Sequence, residues 1–508
     1  QTTPVVHDGV MFLANPGNVV QAIDAADGDV IWEYRYEVPP DALTGVGATR
    51  GLALYDNKVF LSTYDAAIVA LDTRTGEQVW RTVKADYTQG FTQTSAPVIA
   101  NGVVVSGING CERFTDDGCF ITGHDPATGE ELWRTSTIAL PGDPNSASWG
   151  DVPPHLRAGG DTWIPGSYDP GLDLFYIGTA QAKPWVAASR GMSTRNDALY
   201  TNSTLALNPS TGQVAWYFQH VPGETLDMDI VFERVLIDVD GQRLIFTIGK
   251  DGILWKLDRR TGAFVALRET VHQDVFGSID RTTGELTYRE DLQNIAIGEQ
   301  VPACPSLLGG HNWQASAYHP GTGALVIPLH QACMHLTGRE VEFIEGGGGT
   351  AGRYELLEMP GSNGNVGKLA AYDVQTMEEL YRITKPGAST YIAVPYWNSW
   401  EAITDPTHVR QFNEFTFNFF DPTKEQCQER PYYSEARFII DKIGFGVQAP
   451  SYLHTEKRLF WKFPGGLFPM KYTVFFHPLP KWVFGLLATY FSNIIVGLEV
   501  YLINAKQL

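Results

Sequence analysis

The fold is decided by the stretch Ala70-Leu71-Asp72-Thr73-Arg74-Thr75-Gly76-Glu77-Gln78-Val79-Trp80, because its pattern recurs along the chain. The pattern is a pair of mostly apolar residues, then Asp, then Gly four positions later and Trp four positions after that. It recurs at Ala22-Ile23-Asp24, Gly123-His124-Asp125, Ala206-Leu207-Asn208, Lys256-Leu257-Asp258 and, more weakly, Ala371-Tyr372-Asp373. Uninterrupted steps between copies are 48 (24 to 72), 53 (72 to 125) and 50 (208 to 258) residues. This regular period predicts a repeat protein.

Each copy of the pattern predicts two strands joined by a tight turn. Asp is suited to cap the turn, Gly supplies the positive φ that the turn requires, and Trp offers a flat surface to a neighbouring unit. Four strands in roughly fifty residues are typical of one β-propeller blade. We therefore predict an all-β propeller, with an insertion between residues 125 and 208 where the step is longer.

Composition agrees with this fold class and excludes one class of partner. The 508-residue chain contains 51 Gly, 30 Pro and 12% aromatic residues, which favours short strands and turns over helices. Its formal charge of -20 argues against nucleic-acid binding, which requires a basic face. The same charge is compatible with a basic protein partner.

The five cysteines include two pairs placed to close short segments. Cys111 and Cys119 flank one loop, and Cys304 and Cys333 bracket a longer segment. Neither spacing fits a zinc or redox C-x-x-C pattern. We predict the disulfides Cys111–Cys119 and Cys304–Cys333 and hence an oxidising compartment, with four buried free thiols as the alternative.

Polar residues at comparable positions of successive blades form the candidate site. Glu112, Gln181, Asp227 and Asp229 would make an all-oxygen site for a calcium ion or, with the extra carboxylate, a trivalent ion. Asp227 and Asp229 point to the same side if their segment is extended. The alternative for this acidic pair is an ordinary surface turn, and for Glu112 a solvated loop.

A flat, polyanionic ligand is the second prediction for this face. Trp163 offers a stacking surface, and Arg50 and Lys250 offer positive charges for carboxylates. Taken singly, Trp163 is equally explained by packing between blades, and the two cations by surface exposure. Their occurrence in successive blades favours the ligand.

The chain resembles the quinoprotein alcohol dehydrogenases, eight-bladed propellers that bind pyrroloquinoline quinone (PQQ). The resemblance runs from Gln1 to about Ser389, and rests on the repeated Asp-Gly-Trp pattern and two further motifs. The first motif is Thr3-Pro4-Val5-Val6-His7-Asp8-Gly9-Val10-Met11, and the second is Gly309-Gly310-His311-Asn312-Trp313. It implies an eight-bladed quinoprotein-type propeller over residues 1–395 that lacks most of one blade after Ser389.

The resemblance also implies roles for individual residues. The positions expected to contact PQQ are Arg50, Thr94, Trp163, Lys250, Asn312 and Trp313. Glu112 occupies the position of the family's carboxylate metal ligand, and Asp227 that of its catalytic base. Asp229 occupies the position of the extra carboxylate found in lanthanide-using members. Gln181 stands where the family usually has a metal-ligating Asn, so the metal site departs from the pattern.

The implied activity is oxidation of a small alcohol in the periplasm. Asp227 would take the hydroxyl proton, a calcium or lanthanide ion would polarise the quinone, and a hydride would pass to PQQ. Electrons would leave to a c-type cytochrome. No C-x-x-C-H motif occurs in this chain, so no covalent haem is expected in it. The alternatives are a non-catalytic propeller scaffold and an inactive truncated or chimeric homologue.

Residues 396–508 form an atypical C-terminal extension that matches nothing in that family. Within it, residues 482–503 form an apolar run of 22 residues, long enough to span a bilayer but containing Asn493 and Glu499. A membrane or interfacial segment, a core helix and non-native sequence are the three interpretations.

Overall fold

The computed structural model describes residues 2–42, 48–116, 118–350 and 352–379, and beyond them the backbone of six strands between 389 and 504. The chain forms two compact units, Gln1–Leu380 and Tyr381–Leu508. Within the described residues, helical structure is limited to five short 3-10 turns. They are Tyr87–Gln89, Ser146–Trp149, Pro154–Leu156, Ala187–Arg190 and Glu290–Leu292. The predicted all-β class is therefore confirmed.

The first three blades are four-stranded antiparallel meanders. Blade 1 contains β1–β4, blade 2 contains β5–β8 and blade 3 contains β9–β12. Their strands are β1 (Val5–His7), β2 (Val10–Asn15), β3 (Val19–Asp24), β4 (Val30–Arg35), β5 (Ala53–Tyr55), β6 (Lys58–Ser62), β7 (Ala67–Asp72), β8 (Gln78–Val83), β9 (Val98–Ala100), β10 (Val103–Ser106), β11 (Phe120–His124) and β12 (Glu131–Ser136).

Blades 4 and 5 repeat the same plan. Blade 4 contains β14, β15, β17 and β18, blade 5 contains β19–β22, and β13 pairs with β16 in a small separate ribbon. The strands are β13 (Ala158–Gly159), β14 (Ser167–Asp169), β15 (Leu174–Gly178), β16 (Ala182–Lys183), β17 (Ser203–Leu207), β18 (Val214–Gln219), β19 (Val235–Val239), β20 (Gln242–Ile248), β21 (Ile253–Asp258) and β22 (Phe264–Glu269).

Blade 6 contains β26, β27 and β30 and carries an excursion between its last two strands. Strands β28 and β29 of that excursion join β25 in a three-stranded sheet, and β23 and β24 form a hairpin before it. The strands are β23 (Phe276–Ile279), β24 (Leu286–Tyr288), β25 (Gln300–Ala303), β26 (Ala317–His319), β27 (Ala324–His330), β28 (Ala332–Gly338), β29 (Gly352–Glu358) and β30 (Gly367–Asp373).

The repeated sequence pattern docks each blade on the next, as predicted. The ring of Trp32 in blade 1 lies against Gly76 of blade 2, where an added Cβ would approach Trp32 Cε3 to 2.6 Å. Trp32 Nε1–H also donates a hydrogen bond of 2.9 Å to Thr73 O in the same turn. Asp72 Oδ1 accepts hydrogen bonds from the backbone N–H groups of Arg74 and Thr75 at 2.9 and 3.0 Å. Equivalent Trp–carbonyl bonds join Trp80 to Pro126 and Trp133 to Pro209.

The core of this unit lies between neighbouring blades. The largest apolar cluster joins blades 3 and 4 and includes the buried residues Ile121, Trp133, Phe175 and Leu205. Burial of such side chains stabilises each interface by roughly 1.5–3 kcal/mol per residue. Docking therefore holds the blades and the loops between their strands in place, and the candidate site lies in these loops and in the connections between blades.

The second unit has its own antiparallel sheet, ordered β31-β36-β32-β35, and a separate hairpin of β33 and β34. The strands are β31 (Ser389–Pro395), β32 (Phe438–Val447), β33 (Phe460–Phe463), β34 (Gly466–Pro469), β35 (Thr473–Phe476) and β36 (Ile495–Asn504). Strand β31 pairs with β36 within this sheet. The domain boundaries and the missing blade stay predictions.

The apolar run at 482–503 is only partly described. Residues 482–494 lie outside the described residues, and the rest of the run belongs to strand β36, so a helix through its end is wrong. In the part of the chain that the structure describes, no helix has the length and apolar character needed to cross a membrane.

Candidate active site

The predicted site residues come from connections that share one face of the propeller. In an antiparallel meander, the loop between the second and third strands lies at the same end as the connection to the next blade. Glu112, Gln181 and Lys250 lie in loops between second and third strands. The connections between blades carry Arg50, Thr94, Trp163, Asp227 and Asp229. The Asp-Gly-Trp docking turns lie at the opposite end.

Asp227 and Asp229 converge on the ammonium group of Lys250. The Lys250 Nζ lies 3.0 Å from Asp227 Oδ2 and 2.8 Å from Asp229 Oδ2, and all three side chains are buried. The segment is not extended at Asp227, which has a φ of 66° in the left-handed region. Glu224 bends the segment by accepting hydrogen bonds from Leu226 N–H and, at 3.0 Å, Met228 N–H. The turn brings both carboxylates to one cation.

Gln181 binds the same two carboxylates. Its side-chain Nε2–H donates to Asp227 Oδ1, and its backbone N–H donates to Asp229 Oδ1 at 3.2 Å. The Gln181 Oε1 atom is buried and accepts no hydrogen bond from the described residues. Three of the four predicted metal ligands, Gln181, Asp227 and Asp229, are thus brought together.

Glu112, the fourth predicted ligand, is bound to a lysine that the sequence reasoning missed. Lys183 Nζ lies 2.6 Å from Glu112 Oε1 and 3.7 Å from Asp161 Oδ2. Asp161 is oriented by the backbone N–H groups of Gly110 and Cys111, which donate to its Oδ1 at 2.8 and 3.1 Å. The available signals were the short spacings from Gln181 to Lys183 and from Asp161 to Trp163.

Burial and mutual charge perturb the carboxyl groups of both clusters. Burial raises the pKa of Asp227 to about 8, with Lys250 opposing this shift and Asp229 reinforcing it. Lys183 lowers the pKa of Glu112, whereas burial raises the pKa of Asp161. Burial disfavours the charged form of Lys183, but Asp161, Glu112 and Asp229 raise its pKa above the ordinary value. The two clusters are therefore one electrostatic network.

Arg50, Thr94 and Trp163 form a third group at this face. Arg50 Nε–H and Thr94 Oγ1–H donate to the Trp163 carbonyl at 3.2 and 3.4 Å, and the Arg50 guanidinium carbon lies 5.0 Å from the Trp163 ring centroid. Burial lowers the pKa of Arg50 to about 10. No carboxylate of the described residues pairs with it within 4 Å. Arg50 is thus a largely buried cation that lacks an anionic partner in the described chain.

Asn312 and Trp313 lie in a loop that is fastened to Lys250. The backbone N–H of Gly310 in this loop donates to Lys250 O at 3.0 Å. Asn312 Nδ2–H donates to Leu308 O, its Oδ1 accepts from Trp313 N–H, and the Trp313 side chain is 43% exposed. Neither side chain hydrogen-bonds to the other candidate residues within the described part. Their predicted contact with a cofactor stays a prediction.

Both predicted disulfides are confirmed. Cys111 and Cys119 are bonded with a Cα–Cα distance of 5.6 Å, and Cys304 and Cys333 with 4.4 Å. The first bond fixes the loop that carries Glu112. The alternative of four free thiols is wrong.

A loop from the excursion of blade 6 covers the backbone beside Glu112. Gly349 N–H donates to Glu112 O at 2.7 Å, and Thr350 O accepts a hydrogen bond of 3.0 Å from Trp185 N–H. Residues 339–342 and 347–350 line a cavity of about 390 Å³ there. This loop therefore lies against the backbone of Glu112 and of Trp185.

Comparisons with known proteins identify the family. A family model described as "PQQ: Glucose/ethanol/alcohol dehydrogenase, beta-propeller domain" matches residues 1–274. The quinoprotein alcohol dehydrogenase PedH of Pseudomonas putida is 30% identical over 409 residues, covering 75% of this chain and 67% of PedH. This chain belongs to the PQQ-dependent alcohol dehydrogenase family. The propeller is thus of the quinoprotein type, as predicted.

Two further relatives show the extent of the similarity. The quinohemoprotein alcohol dehydrogenase ADH-IIG of Pseudomonas putida is 32% identical over 355 residues, covering 65% of this chain and 48% of that protein. A solved europium-containing methanol dehydrogenase superposes with a TM-score of 0.67 at 26% identity, covering 75% of this chain and 70% of the other. The chain spans about half the length of several curated relatives that it matches.

Proposed function

We propose that this quinoprotein is the PQQ-binding part of an alcohol dehydrogenase that oxidises a small alcohol to its carbonyl product. The observation that carries the proposal is the convergence of Asp227 and Asp229 on Lys250 at the face that also presents Arg50 and Trp163. A carboxylate base, a neighbouring cation and an aromatic plane are the groups that this reaction requires from the protein.

The residues present fit PQQ. Arg50 is a largely buried cation without a carboxylate partner in the described chain, and it lies against the half-buried ring of Trp163. Such an unpaired cation favours an anionic ligand. Arg50, Thr94, Trp163, Lys250, Asn312 and Trp313 would hold the cofactor. When bound, the quinone supplies the acceptor for the hydride that leaves the alcohol carbon.

Asp227 is proposed as the general base that takes the proton from the substrate hydroxyl. Burial raises its pKa to about 8, and a base with a pKa near the working pH is effective in both binding and releasing a proton. Lys250 stabilises the ionised carboxylate at 3.0 Å, and Gln181 orients it through Asp227 Oδ1. These two contacts position the base.

The predicted calcium or lanthanide ion does not fit the four-ligand site in the form expected. Gln181, Asp227 and Asp229 lie together, but Glu112 Oε1 is bound to Lys183 Nζ at 2.6 Å. No step of the proposed reaction is therefore assigned to a metal ion. Whether activity depends on an ion is tested under three conditions, with EDTA, with calcium chloride and with lanthanum chloride.

Electrons would then pass to a c-type cytochrome in the periplasm. Two disulfides support an oxidising compartment. The formal charge of -20 supports a basic electron acceptor, because complementary charge accelerates encounter.

The test is cofactor retention together with dye reduction. The chain is incubated with PQQ in each of the three ion arms, passed through gel filtration and given a primary alcohol and an artificial electron acceptor. We expect wild type to retain quinone absorbance and reduce the dye. Asp227→Asn should retain the quinone but lose at least about 100-fold in rate, as expected for loss of a general base.

The control replaces a carboxylate outside the site. Asp240→Asn changes an exposed residue in the turn between β19 and β20 and should leave both readouts unchanged. Equal rates for wild type and Asp227→Asn would refute the assignment of the base.

A non-catalytic propeller scaffold is the second candidate function. The engagement of Glu112 by Lys183 favours it, since this leaves the metal site of the family incomplete. Absence of quinone retention in all three ion arms would support the scaffold over the dehydrogenase.

A further inference from the structure

Lys183 places a positive charge where the resemblance predicts a metal ion. Its side chain is 9% exposed, and its ammonium nitrogen lies 2.6 Å from Glu112 Oε1 and 3.7 Å from Asp161 Oδ2. Lys183 is the last residue of β16, and its register partner in β13 is Ala158. The ribbon thus holds the backbone of Lys183 in place.

The carboxylates around Lys183 are held in position independently. Asp161 Oδ1 accepts hydrogen bonds from the backbone N–H groups of Gly110 and Cys111, and its Oδ2 faces Lys183. Glu112 follows Cys111, whose disulfide with Cys119 closes the loop. An ion pair of mobile surface side chains would have no such support. The site is built to receive one cation between these two oxygens.

A metal ion ligated by Glu112 Oε1 would compete directly with this ammonium group. Calcium–oxygen distances are about 2.4 Å. The sum of that distance and the 2.6 Å contact places the ion at most about 5 Å from Lys183 Nζ through the same oxygen. Two cations at this separation repel one another, and water screens them incompletely because Lys183 is buried although the Glu112 side chain is 41% exposed.

The other cluster is organised in the same way. Lys250 Nζ lies between Asp227 and Asp229, and Gln181 presents its Nε2–H donor to Asp227. Each pair of carboxylates is thus bridged by one lysine. The oxygens that remain without a hydrogen bond, Gln181 Oε1 and Asp161 Oδ2, are buried in the described structure.

We propose that the ammonium group of Lys183 takes the place of the metal ion at Glu112, so that this chain assembles its cofactor site without a divalent or trivalent cation. The inference rests on the proposed function only in assigning Glu112, Gln181, Asp227 and Asp229 to that site. It makes Lys183 a positioning residue that supplies charge to the carboxylates.

The test is ion titration of the full chain, with calcium chloride and lanthanum chloride as probes. Isothermal titration calorimetry after EDTA treatment is compared for wild type, Glu112→Gln, Lys183→Met and the double variant Lys183→Met/Glu112→Gln. The Glu112→Gln substitution separates the site from ions bound elsewhere on this acidic chain. Wild type and Glu112→Gln should bind ions equally.

Removing the lysine should create an ion site. Lys183→Met keeps the length of the side chain but frees Glu112 Oε1 and Asp161 Oδ2. We expect it to gain one site per chain, at least about tenfold tighter than any site in wild type, because the repulsion is gone. The double variant should lose that site. Lys368→Met removes a surface ammonium group 2.7 Å from Glu379 and should behave as wild type.

Two results would overturn the inference. One is a site in wild type that Glu112→Gln removes, and the other is a folded Lys183→Met that gains no site. If Lys183→Met does not fold, the comparison of wild type with Glu112→Gln still decides. Failure of the proposed function would show instead as lost quinone retention in wild type, which is measured separately.

Discussion

At the scale of single residues, buried charges determine what this face can bind. Lys183 and Lys250 each bridge two carboxylates, whereas Arg50 has no carboxylate partner in the described chain. A desolvated cation without a counter-ion is unfavourable, so a bound anion would relieve it. The two lysines therefore neutralise carboxylates of the protein, whereas the arginine is available to a bound anion.

Arg50 should be the residue whose loss most weakens binding of the quinone. Arg50→Gln removes a charge-assisted contact that is worth about 1.5–3 kcal/mol, so PQQ affinity should fall by about 10- to 100-fold. The measurement is quenching of tryptophan fluorescence during PQQ titration. Arg35→Gln, an exposed guanidinium that pairs with Glu33 in blade 1, is the control. Equal affinity in both variants would contradict the role of Arg50.

His124 should make the propeller sensitive to acid. Burial, with a contribution from Lys84, lowers the pKa of His124 to about 4 from the ordinary 6.5. As the pH falls from 6.5 to 4, the unfolded chain binds a proton that the folded chain does not, so stability is lost over that window. At pH 4 this loss reaches about 3 kcal/mol.

Urea unfolding at pH 7 and pH 4.5 measures the effect of His124. His124→Gln should reduce the loss of stability between the two pH values, whereas the exposed His319→Gln should retain the wild-type loss. A wild-type pH dependence in His124→Gln would show that other groups dominate.

At the scale of elements, the docking turn is the unit that builds the ring. It joins a large residue in one blade to a glycine in the next, as Trp32 and Gly76 do. Blades 5 and 6 exchange these sizes: Ala266 stands at the Trp position and Met377 at the Gly position, and both pack in one apolar cluster. The contact between these blades is therefore apolar although the motif is not kept, in agreement with the weak last copy of the pattern.

Alanine substitutions at two glycines of the same motif distinguish the stability cost of a disturbed docking contact from the cost of backbone strain. Gly76 and Gly28 have φ values of 72° and 84°, so Ala at either position should cost about 1 kcal/mol from strain. A Cβ at Gly76 would also meet the Trp32 ring at 2.6 Å, whereas at Gly28 the described residues leave the space open. Overpacking should add about 1–3 kcal/mol to the cost of Gly76→Ala.

Denaturant unfolding of the two variants measures that difference. Equal losses of stability for Gly76→Ala and Gly28→Ala would show that the Trp contact adds nothing at this turn. Since Gly28→Ala carries the strain alone, it is the matched control.

At the scale of the whole molecule, the disulfides stabilise different parts of the propeller unit. Cys304–Cys333 closes a separation of 29 residues, and Cys111–Cys119 closes 8. Chain-entropy arguments give stabilisation of about 3.5 kcal/mol for the longer loop and about 2.5 kcal/mol for the shorter one. The shorter one, however, holds the loop of Glu112.

Paired Cys→Ser variants should therefore separate stability from site integrity. Cys304→Ser/Cys333→Ser should lower the unfolding temperature more but leave quinone retention intact. Cys111→Ser/Cys119→Ser should lower it less and weaken retention, because Glu112 and Asp161 lose their support. Thermal unfolding and gel filtration with PQQ measure the two properties. The opposite order of retention would contradict the role given to the Glu112 loop.

The sequence by itself indicated the propeller, the two disulfides and the candidate residues Asp227, Asp229 and Lys250, but not the contacts among them. The repeat is local: Asp caps its own turn, Gly adopts its own φ, and the regular period places equivalent loops at one face. Such local features can be predicted from the sequence alone.

Only the tertiary structure decided which cation faces which carboxylate. Glu112, Asp161 and Lys183 lie in three separate segments, and no local pattern relates them. Docking of blades 3 and 4 brings them to within 4 Å, where electrostatic energy changes steeply with distance. Coulomb interactions depend on positions that packing determines. For this reason the sequence could show that Lys183 is close to Gln181 along the chain, but not that Lys183 pairs with Glu112 and Asp161.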